Sequence, residues 1–328
     1  MKILFAIFKQ NYIDKGKERV FKQLGHEVKV FEYAKIERGK YPVPLLYQAI
    51  VQNSNNEFKR TVITFRPDVI LVEKGETIFP STITWIKKNF RIPCILRAPD
   101  DPQLFDRFSR YIAPVYDYVF TSSVDVIPKY KELGVQKVSY LPFTFNPSLH
   151  KIVKLSPEEK KKYGIDICFV GKFYPEREKI LKYLLDHNLK IYGKNWHFSD
   201  MEVCKKWTGK QIFGPELVKL YNASKIVLNI HDNQMKYGGM KANLRVFEVT
   251  GCGAFLLTDK PKGIEDLFRP DIEIVCYQSK KELLELVDYY LENPKERKKI
   301  AKAGQKRAYK DHTPMQRCKK ILSVINQI

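Results

Sequence analysis

Short, nearly uninterrupted apolar runs alternate along this chain with longer stretches in which apolar residues recur every three or four positions. In the first half the apolar runs fall at 2–8, 27–33, 68–73, 93–97, 117–121 and 137–141. Runs this short and continuous are expected of strands buried on both faces of a parallel sheet. Helical periodicity marks 14–25, 43–66, 80–89, 103–112 and 124–133, and Leu24-Gly25 and Leu133-Gly134 read as helix C-caps. After Leu141 the alternation is broken by the turn-rich Pro142-Phe143-Thr144-Phe145-Asn146-Pro147 and by a charged excursion from Lys151 to Lys162. It then restarts, with strands at 165–171, 188–192, 225–230, 253–258 and 273–277. Helices follow at 174–187, 215–223, 242–250, 279–292, 294–309 and 315–327. Two series of β-α-β units predict an α/β protein with two Rossmann-like domains facing a cleft, divided near residue 150.

Composition agrees with two cores: the chain has 328 residues, 44% of them hydrophobic. Charge adds more. There are 58 Lys+Arg against 37 Asp+Glu, a net +21, which suits a nucleotide, a phosphorylated lipid, an anionic membrane surface or nucleic acid. A solvated lysine surface accounts for the same number. The lysines are scattered through helical stretches and form no basic arm, so nucleic acid ranks last. Cys94, Cys168, Cys204, Cys252, Cys276 and Cys318 include no Cys-x-x-Cys pair, so neither disulfides nor a zinc site is expected. The opening Met1 to Phe8 is too short for a signal peptide and reads as a first strand. No segment reaches the roughly eighteen apolar residues of a membrane span. The expectation is a cytoplasmic protein, with peripheral contact at the inner membrane face left open.

Ligands of open α/β sheets bind beyond the carboxyl ends of the strands, and polar groups gather there. Gly171-Lys172-Phe173-Tyr174-Pro175-Glu176-Arg177 follows the first strand of the second series. A glycine turn leading into a helix lets backbone N–H groups approach a phosphate, with Lys172 and Arg177 adding charge; a plain turn with surface bases is the competing reading. Tyr192-Gly193-Lys194-Asn195-Trp196 follows the next strand and could meet a nucleoside base. His231 ends the strand before a loop, Asp232 to Met240, that contains Gly238-Gly239, and it is a candidate proton carrier or hydrogen-bond partner of a phosphate, against a capping or packing role. Asn243, Arg245 and Glu248 lie on one short helix ended by Gly251 and Gly253. Such an arginine can grip a diphosphate and such a carboxylate a ribose diol, unless they simply pair on the helix face. In the first half, Glu73-Lys74-Gly75-Glu76 and Arg97-Ala98-Pro99-Asp100-Asp101-Pro102 leave strand ends. Asp100 or Asp101 is a candidate general base, a cation ligand or a helix cap.

Several of these motifs occur together in a known order. Phe169-Val170-Gly171 with Tyr174-Pro175-Glu176-Arg177, Ile191-Tyr192-Gly193, Asn229-Ile230-His231, Asn243-Leu244-Arg245-Val246-Phe247-Glu248 and Gly251-Cys252-Gly253-Ala254-Phe255-Leu256-Leu257-Thr258-Asp259 resemble the CgeB (spore maturation protein) type of glycosyltransferase. So do Leu283 to Tyr290, Asn293-Pro294, Arg297, Ala303-Gly304 and His312-Thr313, with Asp100-Asp101-Pro102 and Leu141-Pro142-Phe143 in the thinner first half. The resemblance implies the GT-B fold, with an acceptor-side domain at 1–150, a donor-side domain at 151–312 and a last helix, 313–328, crossing back to the first. It implies a nucleotide-diphosphate-sugar donor as substrate, an unknown glycan, lipid or protein acceptor, no cofactor and no required metal. Glu248 would take the ribose. Arg245 and the Gly171 turn would face the diphosphate, and Asn243 would support the diphosphate or the sugar. Two departures stand out. Many retaining relatives carry two glutamates with seven residues between them, and the first position here is Met240; the loop from Lys9 to Gly16 lacks paired glycines. A nucleotide-sugar epimerase and a non-catalytic nucleotide- or sugar-binding protein are the alternatives.

Overall fold

The computed structural model describes residues 1–8, 11–33, 44–233 and 239–328. The chain forms two compact units, Met1–Pro142 with Pro314–Ile328, and Phe143–Thr313.

The first unit is a parallel sheet of six strands, β1 (Lys2–Ile7), β2 (Glu27–Glu32), β3 (Val69–Glu73), β4 (Cys94–Ala98), β5 (Tyr118–Thr121) and β6 (Val138–Tyr140), in the order β2-β1-β3-β4-β5-β6. Every residue of β3 and β4 is buried, which is why these strands read as continuous apolar runs without alternation. Helices Tyr12–Gln23, Pro44–Phe65 and Pro80–Phe90 cover the sheet. The helical pattern at 103–112 resolves into a π-helical turn, Phe105–Ser109, continued by Arg110–Ile112. The closing helix, Pro314–Ile325, lies in this unit. Its Cys318, Ile321 and Val324 join Ile3, Phe5, Phe21 and Leu71 in one core, and Pro314 packs close against Gly16.

The second unit is a parallel sheet of five strands, β7 (Ile165–Val170), β8 (Leu189–Tyr192), β9 (Ser224–Asn229), β10 (Leu256–Asp259) and β11 (Val275–Tyr277), ordered β11-β10-β9-β7-β8. The strand order reverses between β7 and β9, so the crevice at the carboxyl ends of these two strands is the natural ligand position of this sheet. Boundaries differ from expectation in one place. Residues 143–150 pack with the second unit rather than the first, because Phe145 is fully buried against Gly251 and the Tyr309 ring. Gly251 leaves room for that ring; a Cβ there would lie 2.4 Å from Phe145 Cδ2.

Candidate functional site

Three elements meet at the carboxyl edge of β7 and β9. Gly171 follows β7, Asn229 ends β9, and Asn243 precedes the helix Leu244–Gly251. The side chain of Arg245 reaches back from the first turn of that helix. It donates to Asn229 Oδ1 and lies over the Phe169 ring, 5.2 Å from its centroid. Gly171 is the residue that makes room for it, since a Cβ there would sit 2.9 Å from Arg245 Nη2 and 2.9 Å from Phe169 Cζ. Gly193 is needed for a parallel reason: with φ +142°, its Cβ would fall 1.9 Å from the Gly171 carbonyl oxygen. Indole N–H groups of Trp196 and Trp207 donate to the Gly171 and Gly193 carbonyls at 2.8 and 3.0 Å. The strand-end turns are thereby fixed to each other.

The polar network fixes the orientation of its amides. Because Arg245 can only donate, the Asn229 atom it meets is the oxygen, and Asn229 Nδ2 turns to Thr258 Oγ1 at 2.9 Å. Asn243 must then present Nδ2 to the same oxygen, at 3.0 Å. Its Oδ1 is left buried, with no hydrogen-bond donor among the described residues. An acceptor so placed suits a ligand O–H, whereas a phosphate oxygen, itself an acceptor, would be repelled. Asn243 also makes no side-chain cap on its own helix, so the helix N-terminus keeps open N–H groups.

Positive charge accumulates here. Burial depresses the Arg177 guanidinium to about 10, and the charge of Arg245 nearby adds to the shift. Both guanidiniums lie over Phe169, and among the described residues no carboxylate is within ion-pair distance of Arg245. An anion at this edge would relieve that repulsion. Arg177 itself is a brace. It is 5% exposed, donates to the Ile230 and Lys172 carbonyls at 3.1 and 2.8 Å, and stacks on Tyr174. It sets the field and leaves direct contact to Arg245 and to Lys172, which is exposed.

Other expected site residues move. His231 is locked: Nδ1 meets Asp259 Oδ1 at 2.7 Å while Nε2 accepts the Asn243 backbone N–H at 3.1 Å. One nitrogen donates and the other accepts, so the ring is the Nδ1–H tautomer and carries no proton to a ligand. It positions the start of the Leu244–Gly251 helix. Tyr192, expected at the loop, faces the core with Cys168, Leu217 and Tyr221, and Trp196 is wholly buried; neither offers a surface to a base. Glu248 is buried, 3.7 Å from His150 Nε2. His150 accepts the Asn146 backbone N–H at Nδ1, which puts its proton on Nε2. Although the spacing is that of an ion pair, burial pushes the His150 pKa down to about 4, and the ring stays neutral near pH 7. Met240 is buried, and the middle of the loop at 234–238 lies outside the described residues.

In the first unit the two aspartates separate. Asp101 is fully buried, and Ser109, Thr121 and Tyr130 hydroxyls donate to its carboxylate at 2.9, 2.7 and 2.8 Å. It knits three segments together and, contrary to expectation, is not placed to take a proton from a ligand. Asp100 is about one-third exposed and meets Lys74 Nζ at 2.6 Å. Lys74 holds φ at +64°, a left-handed conformation costly for a lysine. Burial opposes its charge, but Asp100 holds the ammonium pKa above its usual value. Beneath them Glu73, Lys17, Arg97 and Asp14 form a buried charge cluster. Burial works against the Glu73 carboxylate, yet Lys17 and Arg97 keep its pKa low.

Sequence reasoning missed Asn229, Asp259 and His150 as partners. A signal existed for the first two, because Asn229 pairs with Thr258 across β9 and β10, one residue before Asp259. Among the described residues no group of three or more His, Cys, Asp or Glu is arranged to hold a metal ion, and no helix is long and apolar enough to cross a membrane.

Residues 175–323 match the family model described as glycosyl transferase-like, a span holding Arg245, Glu248 and the whole β9–β10 edge. The spore protein CgeB of Bacillus subtilis (strain 168) is 28% identical over 261 residues, covering 74% of this chain and 78% of its own. The chain is similar to CgeB over most of its length. Its fold is that of GT-B glycosyltransferases. Sucrose-phosphate synthase from Thermosynechococcus elongatus superposes with a TM-score of 0.67 at 12% identity, over 100% of this chain and 99% of its own. Anabaena HepE, solved in complex with UDP, does so at 0.63 and 15%, over 100% of both chains. This chain therefore carries its Arg245–Asn229–Gly171 constellation on the GT-B fold.

Proposed function

We propose that this CgeB-like protein transfers a sugar, of the hexose class, from a nucleotide-diphosphate donor to an acceptor hydroxyl without a metal ion. The observation that carries this reading is the Arg245 guanidinium, which has no carboxylate partner among the described residues and is seated over Gly171 at the switch point of the second sheet. The diphosphate would lie against Arg245, Lys172 and the open N–H groups at the start of Leu244–Gly251. Glu248 would accept from the two ribose hydroxyls. Asn243 Oδ1 would accept from a hydroxyl of the sugar, a role its lone pairs suit better than the diphosphate.

The acceptor oxygen attacks the anomeric carbon as the bond from that carbon to the diphosphate oxygen breaks. The bonding pair leaves on the diphosphate, where the cationic groups stabilise it. The acceptor's proton passes to a carboxylate, and Asp100, about one-third exposed and paired with Lys74 Nζ, is the candidate. HepE is a solved GT-B neighbour bound to UDP, which favours trying UDP and UDP-sugars first. Thermal shifts with UDP, GDP, ADP and TDP, repeated on Glu248→Ala, test the binding half. Release of free sugar from the matching nucleotide sugar, followed by mass spectrometry, separates an enzyme from a binding protein. If no diphosphate raises the melting temperature, the donor-site reading is abandoned.

A further inference from the structure

The helix Pro294–Asp311 carries an unusual distribution of charge. At about 100° per residue, Lys295, Lys298, Lys299, Lys302, Lys306 and Lys310 all project within an arc of about 120°, a straight row of roughly 22 Å at 1.5 Å per residue. All six are exposed, and Lys295, Lys298, Lys299, Lys302 and Lys306 have no ion pair among the described residues. The helix's two acids lie off this arc, Glu296 accepting from Tyr289 OH at 2.6 Å and Asp311 paired with Arg307 at 2.9 Å. Its opposite face, Ile300, Ala301, Gly304 and Ala308, is buried. Gly304 brings that face tight against the Glu273 carbonyl, where a Cβ would sit 2.2 Å away. The row is therefore a rigid edge of the molecule.

We propose that this lysine face docks on an anionic phospholipid surface. Charge complementarity is the first argument, since lysines held near such a surface each favour binding. The flanks supply the second. Ile152 and Tyr289 are 63 and 47% exposed, and Ile152 and Gln305 of this helix both border Gly253. Amphipathic and apolar side chains bordering lysines suit a headgroup region. The third argument separates lipid from nucleic acid. Both arginines of this helix are turned away to backbone carbonyls, Arg297 to Tyr290 and Arg307 to Leu267. The outward arc thus offers point charges, which suit a lipid phosphate surface, and no fork for base edges.

The test is co-sedimentation of the full chain with phosphatidylcholine vesicles, with and without phosphatidylglycerol. A triple variant, Lys299→Gln, Lys302→Gln and Lys306→Gln, is compared with Lys88→Gln, Lys131→Gln and Lys137→Gln, exposed lysines of the first unit that remove equal charge. Binding that requires phosphatidylglycerol, weakens with salt and falls roughly 100-fold in the first variant but not the second supports the proposal, at about fivefold per lysine. Equal losses in both variants would reduce it to net charge and overturn it. So would binding to phosphatidylcholine alone, no vesicle binding, or capture of duplex DNA by this face in place of vesicles. Diphosphate-induced thermal shifts are expected to survive in the first variant, so failure here and failure of the donor site are read separately.

Discussion

His150 provides a sharp test because two physical effects oppose each other at one ring. Glu248 lies at ion-pair distance, 3.7 Å, and would favour the charged imidazolium; complete burial disfavours it. Burial wins in our reading, lowering the pKa from 6.5 to about 4. The unfolded chain then binds a proton between these values that the folded chain does not. Stability is fully present above pH 6.5 and is lost as the pH falls towards 4, by about 1.4 kcal/mol per unit and roughly 3 kcal/mol in all. His150→Asn keeps an acceptor for the Asn146 N–H but removes the titration. In a Trp85→Phe background the remaining Trp196 and Trp207 both report on the second unit, so denaturant unfolding of that unit can be followed by fluorescence at several pH values. The expected result is a stability difference between parent and variant that is flat above neutrality and swings by about 3 kcal/mol against the parent in acid. A flat difference throughout would remove the burial argument. A swing in the parent's favour would mean that Glu248 dominates and the ring is charged.

Gly171→Ala should force Arg245 or Phe169 to shift, costing about 1–3 kcal/mol of stability and weakening diphosphate binding about tenfold by calorimetry; unchanged affinity would mean Arg245 is not the grip. Asn243→Ala is expected to weaken a nucleotide sugar about tenfold while leaving the nucleoside diphosphate little changed, because Oδ1, an acceptor, would meet a hydroxyl of the sugar; equal losses for both would place it on the nucleoside diphosphate. Asp101→Asn should lower stability by about 1–3 kcal/mol, measured by denaturant titration, with the folded fraction still active. Asp100→Asn should alter stability by no more than about 1 kcal/mol and slow transfer by roughly 100-fold or more; the reverse pattern would exchange the two roles.

The strands were readable because those at the centre of each sheet are buried on both faces, and a doubly buried strand is a continuous apolar word. The same burial hid the direction of Tyr192. In such a strand neither face is solvent, so alternation carries no information about which side meets a ligand. Arg245 and Gly171 were legible as a pair of strand-end features, but their relation is a close approach of a side chain to a missing Cβ, which only coordinates reveal. Arg177 looks like any arginine in a helix's first turn; the rings of Phe169 and Tyr174 and two backbone carbonyls, drawn from other segments, make it a buried brace. Asp101 misled for a related reason. Its hydroxyl partners Ser109, Thr121 and Tyr130 come from separate elements, so Asp100-Asp101 reads as a pair although the two carboxylates do different work.

The central claim is that the β7–β9 edge holds a diphosphate through Arg245. Its most direct measurement is calorimetric binding of UDP and of uridine to the parent and to Arg245→Gln, with the other nucleoside diphosphates as second choices. The account predicts that the diphosphate binds much more tightly than the nucleoside, and that Arg245→Gln removes about 10- to 100-fold of that advantage while leaving the nucleoside unchanged. Equal affinities for the diphosphate and the nucleoside, or an advantage that survives Arg245→Gln, would contradict it.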